Sequence, residues 1–277
     1  MNQSNSSKQI LLSVIGVAIL VVAVVGVSFA FFNYTRTGAE NTVKTGTIVF
    51  ETNYTGIAVT NLFPVSQSAI AQYSSDEDSI VGVTTIDIKG YTTYANGLDF
   101  VVTASDVNFD TTYNETTTVG NQTTTTERTR TLPVSVKVSS SNLGTETVAS
   151  SADNVTAARL GGANEDKITV VNYEVNQSTL AFTPLTDDAV LAKGHIATNT
   201  DLRTNFGQIT IKVYIDAKKV AISDTYNGTN TPTDEMGTTS EWVAGREVYT
   251  TEQWNSLAGQ TGASFKIKIE ANETPAS

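Results

Sequence analysis

The sequence predicts an all-β fold: an antiparallel jelly-roll or Greek-key sandwich with a few short helices, preceded by an apolar N-terminal helix. Two observations carry this prediction. About ten short segments either alternate apolar and polar residues or are rich in β-branched residues, which is typical of half-buried strands. Turn residues separate these segments, and Thr, a β-branched residue that favours extended structure, contributes 45 of the 277 residues.

The composition excludes several kinds of chemistry. The chain has 17 Lys and Arg residues against 28 Asp and Glu residues, a formal net charge of −11. Such an acidic chain argues against nucleic-acid binding, which requires clustered positive charge. The chain has no cysteine and one histidine. Thiol catalysis, thiolate metal sites and disulfides are therefore excluded, and we expect no cofactor.

A long apolar segment lies near the N-terminus. Residues 10–32 contain no charged side chain over 23 positions, which is long enough to cross a bilayer as a helix. We expect residues 1–30 to be a signal peptide, because Ser28 and Ala30 form a small-x-small cleavage site before Phe31. The alternative is an uncleaved membrane anchor, since this apolar run is longer than that of most signal peptides. Both interpretations predict that the rest of the chain is exported.

The exported part divides into a short extended segment and one large domain. Residues 31–45 form the extended segment, of which residues 33–44 are polar, and residues 46–277 have the pattern of a β-sandwich domain. A Thr-rich insertion interrupts this domain at about 108–131. Gly120 and Asn121, near the middle of the insertion, predict a polar two-stranded hairpin with a two-residue turn. A mobile loop is the alternative.

Periodicity and capping residues predict the strands and helices of the domain. Asn96 and Gly97 are a hairpin signal between two predicted strands. Thr250 and Gln253 fit a capping box at the start of a short C-terminal helix. The predicted strands are residues 47–52, 80–89, 98–104, 134–138, 168–175, about 179–182, about 189–198, 208–215 and 265–269, and the predicted helices follow Pro64 or span residues 153–160 and 250–258.

Few residues suggest a catalytic or metal site. Asp76, Glu77 and Asp78 are a weak calcium candidate, because they lack the alternating spacing of a calcium loop. His195 is interpreted as a surface or hydrogen-bonded core residue, since zinc hydrolases need a histidine pair such as H-E-x-x-H. No G-x-S-x-G nucleophile motif occurs. We therefore expect no enzyme, although a pair of carboxylates brought together by the fold stays open.

Motifs around the end of the apolar segment are shared with a known family. The sequence reads F-A-F-F at residues 29–32, then has Asn41 and T-G-T-I at residues 45–48. This pattern resembles the start of TasA/camelysin family proteins of Gram-positive bacteria. A turn at residues 61–66 and a helix followed by a strand at residues 252–269 are also similar to that family. The Thr-rich insertion does not match the family pattern.

The resemblance implies secretion, cleavage by a SipW-type signal peptidase, and a jelly-roll subunit of biofilm-matrix fibres at the cell surface or in the extracellular matrix. In such fibres the N-terminal segment of one subunit completes a sheet of the next copy, and an accessory matrix protein can anchor the fibre. The alternative function is a membrane-tethered adhesin or carbohydrate-binding sandwich. The candidate donor residues lie within residues 31–43 and are Phe31, Phe32, Asn33, Tyr34, Thr35, Arg36 and Val43.

Overall fold

The computed structural model describes residues 34–37, 41–45, 48–53, 57–59, 62–74, 80–119, 122–149, 166–198, 200–204, 206–228, 246–258 and 263–273. The apolar segment, the predicted cleavage site and the predicted helix at residues 153–160 lie outside these ranges. Neither of the helices in the described ranges has the length and apolar character that crossing a bilayer requires.

The described residues are mostly strands, which confirms the all-β prediction. Two short helices accompany them, α1 (Gln67–Ile70) and α2 (Thr251–Ala258). The strands are β1 (Tyr34–Thr37), β2 (Asn41–Thr45), β3 (Ile48–Asn53), β4 (Ile57–Val59), β5 (Pro64–Val65), β6 (Gly82–Thr92), β7 (Leu98–Asn108), β8 (Asp110–Val119), β9 (Gln122–Thr131), β10 (Val134–Ser141), β11 (Thr145–Ala149), β12 (Lys167–Val171), β13 (Val190–Ile196), β14 (Gly207–Asp216), β15 (Val220–Ile222), β16 (Glu247–Tyr249) and β17 (Ala263–Glu273).

Most of these strands belong to two sheets. Sheet 1 has the order β1-β17-β7-β13-β12-β11, and β4 also pairs with β17. Sheet 2 has the order β10-β14-β6-β3-β2, and β5 also pairs with β14. Buried side chains from both sheets form one apolar cluster, which includes Ile86, Val136 and Ile211 from sheet 2 and Phe100 and Ile269 from sheet 1. The two sheets therefore share a core.

The predicted alternation of apolar residues is confirmed at the C-terminal strand. In β17, Phe265, Ile267 and Ile269 are 1–3% exposed, whereas Lys266 is exposed. Successive side chains of a strand point to opposite faces, so one face of β17 packs on the core and the other meets solvent. The valines at alternate positions of β10 are buried in the same way.

The hairpin predicted at Asn96 and Gly97 is wrong. The turn exists, because Gly97 has φ +81° and its N–H donates to the C=O of Tyr94 (3.1 Å). However, β6 pairs with β3 and β14, whereas β7 pairs with β17 and β13. Both β6 and β7 bury alternate side chains along most of their length. The chain therefore crosses from one sheet to the other here, and the two strands face each other across the core.

The strand predicted around residues 179–182 is also wrong. The side-chain oxygen of Asn176 accepts the backbone N–H groups of Ser178 and Thr179, both at 2.9 Å. Leu180 has φ +57°, a left-handed conformation that no strand contains. A turn held by the Asn176 side chain therefore takes the place of the predicted strand. Conversely, five short strands were not predicted: β4, β5, β11, β15 and β16.

The capping box of α2 is confirmed in both directions. The N–H of Gln253 donates to the hydroxyl of Thr250 (3.2 Å), and the N–H of Thr250 donates to the side-chain oxygen of Gln253 (2.9 Å). This reciprocal pair satisfies backbone donors that a helix start leaves without intrahelical partners. Trp254 in the first turn is buried against the Tyr249 ring, with centroids 5.3 Å apart.

The two paired strands of the Thr-rich hairpin are confirmed as well, whereas the predicted turn residues Gly120 and Asn121 lie outside the described ranges. β8 and β9 form their own two-stranded antiparallel sheet, in which Val119 pairs with Gln122. The base of the hairpin is fastened to β16, since Arg130 forms an ion pair with Glu247 (2.6 Å) and lies 4.8 Å from the centre of the Tyr249 ring. The hairpin is thus an appendage held at its base.

Candidate assembly surface

The predicted donor segment forms two strands, one at the edge of each sheet. β1 pairs antiparallel with β17, with Tyr34 opposite Ala271 and Thr37 opposite Lys268. β2 pairs antiparallel with β3 in sheet 2, with Val43 opposite Phe50. Both are terminal strands in their sheets. The described part of residues 31–45, called here the N-terminal segment (β1 and β2), therefore covers one flank of the protein.

The strand that receives β1 is also well packed on its inner face. Phe265 meets Phe109 edge to face, with ring centroids 6.3 Å apart. On the other face, Lys268 forms an ion pair with Glu270 (2.7 Å), and this contact raises the pKa of Lys268. β17 is held to β7 along nearly its whole length. It therefore offers a rigid edge to an incoming strand.

Two strands divide the outer edge of β17. β4 pairs with Ala263 to Phe265, and β1 pairs with Lys268 to Ala271. Without the N-terminal segment, the edges of β17 and β3 would present backbone N–H and C=O groups that no strand of this flank satisfies. An edge of this kind takes up an extended peptide readily. The arrangement is therefore chemically suited to strand exchange.

The opposite flank is bridged by the chain itself. Val136 of β10 and Tyr173, just after β12, exchange two backbone hydrogen bonds of 2.8 Å. The Tyr173 hydroxyl also donates to the C=O of Val190 in β13 (2.9 Å). These bonds join sheet 2 to sheet 1 on that side. The two flanks thus differ, since one is joined by the body and the other is covered by the N-terminal segment.

The predicted site residues are only partly within the described ranges. Tyr34, Thr35 and Arg36 lie on β1, and Val43 lies on β2. The division of the segment between two sheets was not predicted, nor was the sharing of β17 with β4. The predicted residues outside the described ranges are the cleavage residues Ser28, Ala30 and Phe31, the donor residues Phe32 and Asn33, and the calcium candidates Asp76, Glu77 and Asp78.

His195 is a hydrogen-bonded core residue, as one of the two interpretations of the sequence predicted. It lies on β13 directly opposite Asp99 of β7. The His195 side chain is fully buried, and its Nδ1 is 2.6 Å from a carboxylate oxygen of Asp99. No group of three or more His, Asp or Glu side chains within the described ranges could hold a metal ion. The geometry of His195 is that of a cross-strand link.

One pair of carboxylates is brought together by the fold. Glu174 and the buried Asp216 both accept hydrogen bonds from the side-chain amide of Gln67, at 3.2 and 3.0 Å. The hydroxyl of Tyr214 donates to Glu174 (2.5 Å), and Gln177 donates to Asp216 (2.8 Å). Burial, and after it the charge of Glu174, raises the pKa of Tyr214. Because protein donors already engage both carboxylates, this cluster fits a cross-link between α1, β14 and the 174–177 turn.

A groove of about 860 Å³ lies at the end of β11 and along the irregular 174–189 stretch. Tyr173, Pro184 and Asp187 are among its lining residues. Val148 at its rim is 56% exposed, and it is the one large apolar side chain classed as exposed within the described ranges. The groove has both polar and apolar walls and is open to solvent.

Comparison with known proteins returned no relative. No family model matches the chain, and no curated protein or solved structure is significantly similar to it.

Proposed function

We propose that the protein is a secreted structural subunit of extracellular fibres, which polymerises by donating its N-terminal strand segment to the next copy. The observation that carries this proposal is the placement of β1 and β2, which supply a terminal strand to each sheet on one flank. The resemblance of residues 26–50 to the TasA/camelysin family supports the same function. The function requires no catalysis and no cofactor.

Exchange of the N-terminal segment between copies keeps most of the backbone hydrogen bonds that the segment makes. A donated segment can form with the next subunit the same β1–β17 and β2–β3 ladders that it forms within its own body. The contact between copies is then head to tail, and such a contact generates a filament when its rotation does not close. Assembly therefore depends on protein concentration and on the freedom of the chain that precedes β1.

The apolar segment controls how freely the donor segment can move. Residues 10–30 lie directly before the donor segment, and while they remain attached they tether it to the membrane. Cleavage after Ala30 by a SipW-type signal peptidase frees Phe31 as the new N-terminus. The subunit then assembles in the extracellular matrix or at the cell surface, where an accessory protein can anchor the fibre.

The fold that we propose for the subunit is a jelly-roll sandwich. Long strands alternate between sheets along the chain: β6 and β14 lie in sheet 2, whereas β7 and β17 lie in sheet 1. Crossings between two facing sheets are the hallmark of jelly rolls and Greek keys. The crossing at Gly97 is the best defined of them, since its turn is short and its flanking strands are buried.

N-terminal sequencing combined with imaging tests the proposed function. We expect the extracellular protein to begin at Phe31 and to form filaments in negative-stain electron microscopy. We expect this result because cleavage removes residues 10–30 before the N-terminal segment is donated to another copy. A processed protein that remains monomeric at all concentrations would contradict the proposal.

A second candidate function is a membrane-tethered surface domain that binds a carbohydrate or another small ligand. The groove beside β11 favours it, because concave sites with mixed walls are where ligands bind. The same sequencing experiment separates the two functions. Recovery of the protein in the membrane fraction with residues 10–30 intact would favour the tethered domain.

A further inference from the structure

The Thr-rich hairpin has a strand edge that no other described strand covers. Within the described ranges β9 pairs with β8 alone. Every side chain from Gln122 to Thr129 is exposed, so this part of β9 packs on the body with neither face. A two-stranded ribbon of this kind is marginally stable in isolation and gains stability when a further strand pairs with it.

The hydrogen-bond pattern shows which backbone groups face the open edge. The N–H of Leu132 donates to the C=O of Phe109 (2.9 Å), in continuation of the β8–β9 register. Hydrogen-bonded pairs alternate with non-bonded pairs along an antiparallel ladder. The even-numbered residues of β9 therefore bond to β8, and odd-numbered residues such as Thr125 and Thr129 direct their N–H and C=O groups outward.

The tip half of this edge lacks the features that normally block pairing. Residues 122–126 carry no charge and no proline, and four of these five residues are Thr, whereas Glu127, Arg128 and Arg130 lie toward the base of β9. Proteins usually protect exposed edges with charges, proline or bulges, so the uncharged tip half is where another strand can pair most readily. Thr, being β-branched, also favours the extended conformation that such pairing needs.

The Thr-rich sequence of β9 favours a second copy of the chain as the partner, because opposed Thr side chains stabilise a ladder, and the charge distribution permits it. The whole chain carries −11, whereas residues 110–131 contain three acidic and two basic side chains. Two bodies of like charge repel each other at short range. A ten-residue strand places the tip of the hairpin about 34 Å from its base, which is several times the screening length of about 8 Å at physiological salt. Two hairpins can therefore meet while the bodies stay screened.

We propose that two copies associate by antiparallel pairing of their β9 edges about a two-fold axis at Thr126. In such a two-fold pair, the residue at the axis lies opposite the same residue of the second copy. An axis at Glu127 or Arg128 would oppose like charges, which destabilises a sheet. Thr126 is the centre of the longest register that avoids this, and it places Thr125 opposite Glu127 of the second copy.

This contact is of a different kind from strand donation. A two-fold contact uses the same surface on both copies and closes on itself. It joins two subunits, or two filaments side by side, and it does not need the N-terminal segment. The two associations can therefore be tested separately.

Single cysteine variants test the pairing, because the natural chain contains no cysteine. In the proposed register Thr126 faces Thr126 of the second copy as a non-hydrogen-bonded pair, with Cα atoms about 4.5 Å apart, within the range of disulfides. We expect Thr126→Cys in the full chain to form disulfide-linked dimers on mild oxidation. Thr123→Cys is the matched control, since it is equally exposed but lies about 20 Å from its own copy.

Dimers from Thr126→Cys together with monomers from Thr123→Cys support the proposal. Equal cross-linking of both variants, or of neither, overturns it. The same Thr126→Cys change in a chain that lacks residues 31–43 should still give dimers. Loss of filaments in this shortened chain, with the dimer retained, is the result that strand donation and β9 pairing together predict. Loss of the dimer in the shortened chain would contradict the proposal that β9 pairing does not need the N-terminal segment.

Discussion

Deletion of residues 31–43 is expected to abolish filament formation and to leave the exported protein soluble, as monomers or as the pairs that the β9 edges form. The deletion removes all four β1–β17 pairs and three of the five β2–β3 pairs. Each subunit then retains the acceptor edges but has no strand to give. Filament mass measured by sedimentation and by negative-stain imaging is expected to fall to the background level.

A peptide of residues 31–45 sharpens this test. We expect it to bind the deleted protein with one-to-one stoichiometry in calorimetry, because it can restore both ladders, and we expect it not to restore filaments. The matched control is replacement of residues 113–128 in the Thr-rich hairpin by Asn-Gly, which removes a similar length and should leave filaments intact. Persistence of filaments after deletion of residues 31–43 would show that another surface drives assembly.

Replacement of Gly97 by Ala is expected to lower the free energy of unfolding by about 3 kcal/mol, as the sum of backbone strain and overpacking. Gly97 has φ +81°, where an L-residue is strained. Its Cβ would lie 2.4 Å from the carbonyl oxygen of Ile196 and 2.7 Å from the His195 ring. The ring cannot move away easily, because it is buried and bonded to Asp99.

Gly228→Ala is the matched control for this change. Gly228 also has a positive φ, +96°, but no atom of the described residues lies within 4 Å of the position of an added Cβ. We expect a loss of about 1 kcal/mol there, from backbone strain alone. Urea unfolding of both variants, followed by circular dichroism, measures the difference. Equal losses would mean that the crossing at Gly97 is not packed against β13 as described.

The strands of the shared core were predictable because burial of one face leaves a pattern of period two. β17 and β10 show this pattern in sequence and in burial. The pairing of the strands was not predictable in the same way. Asn96 and Gly97 specify a tight turn, but a hairpin and a crossing between sheets both require such a turn. Whether β6 and β7 pair with each other or lie in different sheets depends on their pairing with β3, β14, β13 and β17, which are distant in the chain.

The candidate site was predictable as a segment and not as a structure. Polar residues after an apolar run, in a pattern shared with a fibre-forming family, identify residues 31–45. Their division into β1 and β2 follows from pairing with β17 and β3, and two strands of four and five residues are too short to show periodicity. Likewise, the Thr repeats predict the hairpin β8–β9, whereas its anchoring by Arg130 and Glu247 depends on a contact between distant residues.

The most direct test of strand donation uses the pair Thr35 and Glu270, which lie opposite each other in β1 and β17. Opposed residues of an antiparallel pair are close enough for a disulfide, and the chain has no other cysteine. The variant with Thr35→Cys and Glu270→Cys is assembled under reducing conditions and then oxidised. Donation between copies gives a ladder of covalent multimers on a non-reducing gel. A single band of monomer with both cysteines oxidised would contradict donation, because the strand would then remain in its own body.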